Sequence, residues 1–272
     1  MKFFNSFKIY PSKKDSIILL KKLFLFYLIV LSMLFIFQRK VMYFPDKDMS
    51  ISTHWIPLLK DNKIIALKEK DKLNSYNVLL FHGNAGNANM KNYYKLLFSS
   101  ANVVVAEYPG FGFRSNETLS KINIIKAAED IVEEVLKDGK PLILVGESLG
   151  SAVASEMAVK YHINNLVLTV PYNSISSVAQ SKFPIFPVYP LVLDRYNNTE
   201  VLKQYHGNLV VVIAEFDKVI PPEFAYDLLK SLNSDIHILK IFIKGASHNS
   251  YVSSFSETNR KEMHQFLKLS YD

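Results

Sequence analysis

The chain contains no cysteine among its 272 residues. Disulfide frameworks, zinc–thiolate sites, iron–sulfur clusters and cysteine nucleophiles are therefore excluded. Glycine is also scarce, with nine residues, so the places where it occurs are informative. Apolar residue types make up 49% of the sequence and charged types 21%, which excludes a disordered or low-complexity chain. The length suits one sizeable globular domain.

Excess positive charge is confined to one end of the sequence. The formal net charge is +7, which for a whole domain would suggest nucleic-acid binding. Residues 1–45 contain eight lysines and arginines against one aspartate. They account for the entire excess, and the rest of the chain is neutral. We therefore expect no nucleic-acid partner.

An apolar run at residues 23–37, interrupted only by Ser32, lies inside this basic region. Extended back to residue 17, it forms a helix of about 31 Å, close to the thickness of a bilayer core. A core helix, an interfacial helix and a cleaved signal peptide are the alternatives. No pair of small residues suited to signal-peptide cleavage follows the run. The sequence therefore predicts an uncleaved membrane anchor over residues 1–41.

The distribution of basic residues around this run predicts its orientation. Six lysines precede the run, and Arg39, Lys40 and Lys47 follow it closely. Basic residues are enriched on the cytoplasmic side of membrane spans. We therefore expect the N-terminus in the cytoplasm and residues 42–272, the second domain, on the non-cytoplasmic side.

Strand-like and helix-like segments alternate through this second domain. An opening pair of strands and six short runs rich in Val, Ile and Leu are predicted at residues 54–59, 63–70, 78–81, 103–106, 142–145, 166–170, 209–213 and 236–243. Amphipathic helices are predicted between them at residues 90–100, 121–137, 151–161, 222–232 and 257–269. This alternation indicates an α/β fold with an open, mostly parallel sheet and helices on both faces.

One interval, residues 174–205, breaks the alternation. It contains three prolines among aromatic and aliphatic residues and lies between two predicted strands. Such an insertion is either a cap over a pocket or an ordinary helix with a proline-rich approach.

Six of the nine glycines lie in three pairs, each directly after a predicted strand. The carboxyl ends of parallel strands are where open α/β sheets bind ligands. The most informative pair, Gly146 and Gly150, encloses Ser148 in a G-x-S-x-G pattern between a strand and a helix. This context is typical of a serine nucleophile on a sharp turn, whereas a serine that only caps the helix is the alternative.

A serine nucleophile needs a histidine base that an acid orients. His248 alone follows the final strand in a short loop, whereas the other histidines after Ser148 lie at a helix end, beside or within a strand, or in the last helix. Asp217 lies in the turn after the strand at residues 209–213 and is the favoured acid, although it could also only cap a helix. Glu215 and Asp194 are its rivals.

Backbone amides must also stabilise the oxyanion that develops during acyl transfer. The residue after the nucleophile, Leu149, supplies one N–H group in this arrangement. The loop His82-Gly-Asn-Ala-Gly-Asn87 follows an earlier strand, and Gly83 allows the turn that presents the N–H of Asn84. His82 is interpreted as a brace for this loop rather than as a base.

These motifs together resemble the membrane-anchored branch of the α/β-hydrolase superfamily. That branch includes the bud-emergence-related proteins of fungi and the depalmitoylating α/β-hydrolase-domain proteins of animals. The matching pieces are the anchor with Gln38-Arg39 and Tyr43-Phe44-Pro45, HGNAGN at 82–87, YPGFG at 108–112, GESLGSA at 146–152, the Asp217 turn and the His248 loop. Ala214 is a departure, since many relatives have glycine there.

The resemblance implies an α/β-hydrolase fold after one N-terminal transmembrane helix, with Ser148, Asp217 and His248 as the triad. The expected function is a membrane-tethered serine hydrolase that cleaves an ester or thioester. Its expected partners are the lipid bilayer and an acyl ester or thioester substrate, with no cofactor and no metal. A protein-acyl thioesterase, a peptidase and a non-catalytic hydrolase-like binding domain are the alternatives.

Overall fold

The structure, a computed structural model, describes residues 12–70 and 74–269. The chain divides into two compact units, Met1–Gln38 and Arg39–Asp272, and each is described by itself. The expected anchor begins at residue 1, so its first eleven residues, with two of the six lysines that precede the apolar run, lie outside the described residues.

Helix α1, Lys13–Met42, contains the apolar run. Its 30 residues include none that is buried, and at a rise of 1.5 Å per residue the helix is about 45 Å long. Among the described residues it is the one helix long and apolar enough to cross a membrane. The lone polar residue of the run, Ser32, donates its hydroxyl to the Leu28 carbonyl at 2.8 Å, so its hydrogen bond is made within the helix.

The described residues of the second unit form ten strands: β1 Phe44–Pro45, β2 Trp55–Lys60, β3 Lys63–Glu69, β4 Asn77–Phe81, β5 Ala85–Gly86, β6 Asn102–Ala106, β7 Leu142–Glu147, β8 Asn165–Thr169, β9 Asn208–Ala214 and β10 His237–Ile243. Eight of them form one sheet in the order β10-β9-β8-β7-β4-β6-β3-β2. The β2–β3 and β3–β6 pairs are antiparallel, and the other pairs of this sheet are parallel. Strands β1 and β5 form a separate parallel pair.

The remaining helices are α2 Lys121–Leu136, α3 Gly150–Lys160, α4 Ile175–Lys182, α5 Val188–Leu191, α6 Asn198–Leu202, α7 Pro222–Lys230 and α8 Glu257–Phe266. Both faces of the sheet are covered, because successive residues of β4 belong to two separate hydrophobic clusters. Leu79 packs in the cluster that contains residues of α2 and α3, and Leu80 packs in the one that contains residues of α8. The predicted α/β class and mostly parallel sheet are confirmed.

The predicted helix at residues 90–100 is wrong in type, because the chain forms a 3-10 helix at Ala88–Leu96 instead. The backbone leaves helical geometry at Lys91, with φ −102° and ψ 19°. The Lys91 ammonium lies 3.0 Å from the buried carboxylate of Glu147. The segment also has a weak intrinsic helical preference, because it contains Asn89 and Asn92.

The proline-containing interval, residues 174–205, forms the three short helices α4, α5 and α6. An isolated antiparallel bridge joins Ser174 to Asn197. The bridge thereby brings together the residues before α4 and after α5.

Candidate active site

Ser148 lies on the turn between β7 and α3, and its backbone is in the left-handed region with φ +52°. A non-glycine residue in this region costs of order 1–3 kcal/mol and persists where surrounding contacts impose it. Its N–H donates to the Thr169 carbonyl at 2.9 Å, and its carbonyl accepts the Ser151 N–H at 3.0 Å. The sheet and the first turn of α3 therefore impose the strained conformation that the G-x-S-x-G pattern predicts.

The glycines on either side of Ser148 are required by close packing. A Cβ at Gly150 would lie 2.0 Å from the Phe81 carbonyl oxygen, and one at Gly146 would lie 2.5 Å from the Ser151 Cα. Both distances are shorter than any van der Waals contact. The absence of side chains at 146 and 150 lets α3 begin directly against the ends of β4 and β7.

Ser148, His248 and Asp217 come together at the carboxyl edge of the sheet. The Nε2 of His248 lies 3.1 Å from the Ser148 Oγ, and its Nδ1 lies 2.6 Å from the Asp217 Oδ2. The side chains of His248 and Asp217 are 11% and 2% exposed. The imidazole therefore connects a hydroxyl to a carboxylate and is largely buried.

Backbone amides hold the carboxylate of Asp217 in place. Its Oδ1 accepts the N–H groups of Val219 and Ile220 at 2.9 and 2.8 Å, which leaves Oδ2 for the imidazole. The two sequence interpretations of Asp217 are therefore compatible. Its Oδ1 caps the turn, and its Oδ2 contacts the imidazole.

The two rival acids lie in other contacts. Glu215 accepts the N–H of Gly245 at 2.7 Å, so it supports the loop that carries His248. Asp194 accepts two hydrogen bonds from Arg39 at 2.9 and 3.1 Å. Neither is bonded to the imidazole of His248, whose two nitrogens contact Asp217 and Ser148.

The two backbone N–H groups that the sequence predicts for an oxyanion belong to segments next to Ser148. Within residues 12–70 and 74–269, neither the N–H of Leu149 nor that of Asn84 has a hydrogen-bond acceptor. The loop that carries Asn84 approaches the serine closely, because a Cβ at Gly83 would lie 3.4 Å from the Ser148 Cβ and 3.9 Å from its Oγ. Leu149 directly precedes α3, so the positive end of the helix dipole also lies there.

His82 is buried at the start of this loop, and its ring contacts the loop backbone. Its Nδ1 is 2.8 Å from the Gly83 carbonyl oxygen, and its ring lies 4.2 Å from the ring of Tyr108, centroid to centroid. Burial lowers the pKa of His82 to about 3, so the ring is neutral near pH 7. Its contacts match the interpretation of His82 as a brace.

A polar network that the sequence motifs did not indicate lies beneath the turn. Glu147, the residue before the nucleophile, is bonded to the Lys91 ammonium at 3.0 Å and to the Tyr93 hydroxyl at 3.1 Å. The pKa of Tyr93 is raised, chiefly by burial, so its phenol stays protonated and donates to the carboxylate. Of these residues only Glu147 lies in a recognisable motif, the G-x-S-x-G pattern. No motif in the sequence indicates that Lys91 is its partner.

A second missed residue, Asn198, connects the proline-containing interval to the helix after the nucleophile. Its Nδ2 donates to the Ser151 Oγ at 2.9 Å, and its Oδ1 accepts the Ser155 hydroxyl at 2.8 Å. Asn198 is fully buried, so α6 and α3 are joined by satisfied polar contacts.

In the described residues, no group of three or more His, Asp or Glu side chains is arranged to hold a metal ion.

The sequence model of the family described as "Alpha/beta hydrolase family" matches residues 78–229. Two curated proteins from strains of Mycobacterium tuberculosis, both described as uncharacterized, are 27% identical to this chain over 177 residues. The match covers 63% of this chain and 62% of each relative. The chain thus spans less than two thirds of the length of the curated relatives it matches.

Solved structures show the same fold. An esterase from Pyrococcus furiosus has a TM-score of 0.60 at 14% identity, covering 83% of this chain and 98% of the esterase. A monoacylglycerol lipase from Paleococcus ferrophilus has a TM-score of 0.50 at 19% identity, covering 75% of this chain and 98% of the lipase.

Proposed function

Because this chain belongs to the alpha/beta hydrolase family, we propose that it is a serine hydrolase that cleaves an ester or thioester by acyl transfer. One observation carries the proposal: a single imidazole bridges the Ser148 hydroxyl and the Asp217 carboxylate, at 3.1 and 2.6 Å. That is the arrangement in which a weak nucleophile gains a base and the base gains an orienting acid.

The proposed reaction follows from these contacts. The carboxylate of Asp217 accepts a hydrogen bond from the Nδ1–H group of His248, which leaves the Nε2 lone pair directed at the Ser148 hydroxyl. The Oγ attacks the substrate carbonyl carbon as its proton passes to Nε2, and the N–H groups of Asn84 and Leu149 stabilise the oxyanion. The imidazolium then protonates the leaving alcohol or thiol. Water, deprotonated by the same imidazole, releases the acyl group and restores Ser148.

Exposed apolar side chains beside the triad support an apolar acyl substrate. Phe216 and Val219, on either side of Asp217 in the chain, are 60% and 49% exposed. Ile185 is 73% exposed and lies three residues after Lys182, whose ammonium donates to the Lys218 carbonyl at 3.2 Å, next to Asp217 in the chain. An acyl chain that covered such side chains would gain about 25 cal/mol for each Å² of apolar surface removed from water.

The test of the proposed function is labelling of the full chain by a fluorophosphonate probe, followed by turnover of matched acyl substrates. We expect labelling, and hydrolysis of p-nitrophenyl esters or acyl-thioesters of equal chain length; the ratio of the two rates separates an esterase from a protein-acyl thioesterase. Failure of the folded protein to label or to turn over either substrate would contradict the proposal and favour a binding domain. Cleavage of an amide substrate alone would favour a peptidase.

We further propose that residues 1–41 anchor the enzyme in a membrane, with residues 42–272 on the non-cytoplasmic side. Helix α1 supports this proposal because none of its residues is buried and its length exceeds the roughly 30 Å of a bilayer core. The lysines before the apolar run and the smaller basic group after it favour this orientation. An anchor of this kind fits a depalmitoylase-like or lipase-like enzyme that meets acyl groups near a bilayer.

Because the chain contains no cysteine, this topology can be tested with thiol reagents that do not label the parent protein. Ser12 and Ser253 are both exposed, so Ser12→Cys and Ser253→Cys each introduce one accessible thiol. In sealed vesicles of known orientation, an impermeant maleimide on the non-cytoplasmic side is expected to label Ser253→Cys, and Ser12→Cys only after detergent is added. The reverse pattern would contradict the orientation. Extraction of the protein by carbonate would contradict the anchor.

A further inference from the structure

The last turn of helix α1 and the residues directly after it are hydrogen-bonded to the loop that carries Asn84. We call residues 39–46 the linker segment and residues 82–87 the oxyanion loop. The carbonyl of Asn84 accepts the N–H of Phe44 at 2.8 Å, and its side-chain Nδ2 donates to the Met42 carbonyl at 2.6 Å. Asn84 is therefore bound by the linker segment through its carbonyl and through its side chain, and its own N–H remains available.

The contact continues along the loop as a short ladder. Strands β1 and β5 pair in parallel, with Phe44 opposite Ala85 and Pro45 opposite Gly86. The N–H of Asp46 donates to the Gly86 carbonyl at 2.9 Å, and the carbonyl of Asp46 accepts the Gly112 N–H at 2.8 Å. The linker segment thus lies between the oxyanion loop and the turn that contains Gly110 and Gly112.

The other end of the linker segment is fixed by a buried carboxylate. Asp194, 3% exposed, accepts both the Arg39 guanidinium and the Tyr43 hydroxyl, the latter at 3.0 Å. The hydroxyls of Tyr43 and Tyr196 are also 3.1 Å apart. A bidentate arginine–carboxylate contact is geometrically specific, so the linker segment is held in one position relative to the proline-containing interval.

We propose that the linker segment is a positioning element for catalysis: it holds Asn84 so that its N–H can meet the oxyanion. This inference rests on the proposed serine-hydrolase function. Residues 39–46 would then take part in catalysis, although residues 39–42 are the last residues of helix α1. Their effect on the reaction passes through Asn84, which alone of these residues would contact the reacting oxygen.

The test uses the full chain and separates the backbone of Phe44 from its side chain. Phe44 is 57% exposed, so Phe44→Ala removes little packing and keeps the N–H, whereas Phe44→Pro removes the N–H that Asn84 accepts. We expect Phe44→Pro to lower kcat by about 10- to 100-fold with KM unchanged, since loss of a whole oxyanion donor costs about 10²- to 10³-fold. Phe44→Ala should stay within about twofold of the parent, since it leaves every backbone donor in place.

A second pair of variants keeps the proposal testable if Phe44→Pro does not fold. Asn84→Ala removes the side-chain bond to Met42 but keeps the Asn84 backbone. Asn89→Ala is its matched control, because Asn89 lies just beyond the loop and its side chain likewise binds a distant backbone group, the Ser52 N–H at 2.9 Å. We expect Asn84→Ala to lower kcat by about 10-fold, a smaller loss than removal of the donor itself, and Asn89→Ala to leave kcat unchanged at a similar melting temperature.

The specific readout is inhibition by a trifluoromethyl ketone of the preferred acyl chain. The Ser148 Oγ adds to the ketone carbon, its proton passes to His248, and the former carbonyl oxygen carries the negative charge that the amides must meet. We expect the inhibition constant to rise by the same factor as kcat falls. If the parent chain labels and turns over but Phe44→Pro and Asn84→Ala match their controls in kcat and inhibition, the inference is overturned. An inactive, unlabelled parent would instead contradict the proposed function.

Discussion

Replacement of Ser148 with alanine is expected to lower kcat by about 10⁶-fold, as loss of the nucleophile does in comparable triads. The physical reason is that the substitution removes the one hydroxyl that is in contact with the imidazole of His248. Ser148 is 5% exposed, its Oγ is the atom that His248 Nε2 contacts at 3.1 Å, and its backbone lies in the left-handed region. Steady-state hydrolysis of a p-nitrophenyl ester measures the effect, and fluorophosphonate labelling should disappear with it.

Ser253→Ala is the control for this variant. Ser253 lies five residues after His248, is exposed, and donates its hydroxyl to the Ser250 carbonyl at 2.9 Å. Its removal should leave turnover and labelling unchanged. If Ser148→Ala kept most of its turnover while remaining folded, another residue would be the nucleophile and the proposed mechanism would be wrong.

The fold could be predicted from the sequence because each strand is buried on both faces. In β4, for example, both Leu79 and Leu80 are fully buried although they point to opposite sides, so the run is continuously apolar and easy to locate. The type of helix at Ala88–Leu96 is harder to predict from the sequence. The apolar spacing of this segment favours a helix, but the backbone is kinked at Lys91, whose side chain is paired with Glu147, 56 residues further along the chain.

The candidate site was predictable for a related reason. Scarce glycines marked close approaches of backbone to backbone, as at Gly150, where no Cβ fits beside the Phe81 carbonyl. The contacts between the linker segment and Asn84 had no such signal. They are made largely by backbone N–H and carbonyl groups of Met42, Phe44 and Asp46, and every non-proline residue carries these groups. Only the folded chain shows which of them meet.

Exchange of Asp217 for asparagine is expected to lower kcat by about 10⁴-fold, because the histidine is then held in the wrong tautomer. An asparagine Oδ1 can still accept the N–H groups of Val219 and Ile220, so the turn should remain intact. The amide NH₂ would replace the oxygen that lies 2.6 Å from His248 Nδ1. Nδ1 must then accept a hydrogen bond, the proton moves to Nε2, and the imidazole cannot take the proton of Ser148.

Glu215→Gln is the matched control, since it makes the same chemical change in the rival carboxylate two residues away. The Glu215 Oε2 accepts the N–H of Gly245 at 2.7 Å, and a glutamine oxygen can accept that bond equally well. Turnover should therefore stay within a few-fold of the parent, while Asp217→Asn loses about four orders of magnitude with an unchanged melting temperature. A larger loss for Glu215→Gln than for Asp217→Asn would transfer the role of the acid to Glu215, and the 2.6 Å contact would then be only a structural one.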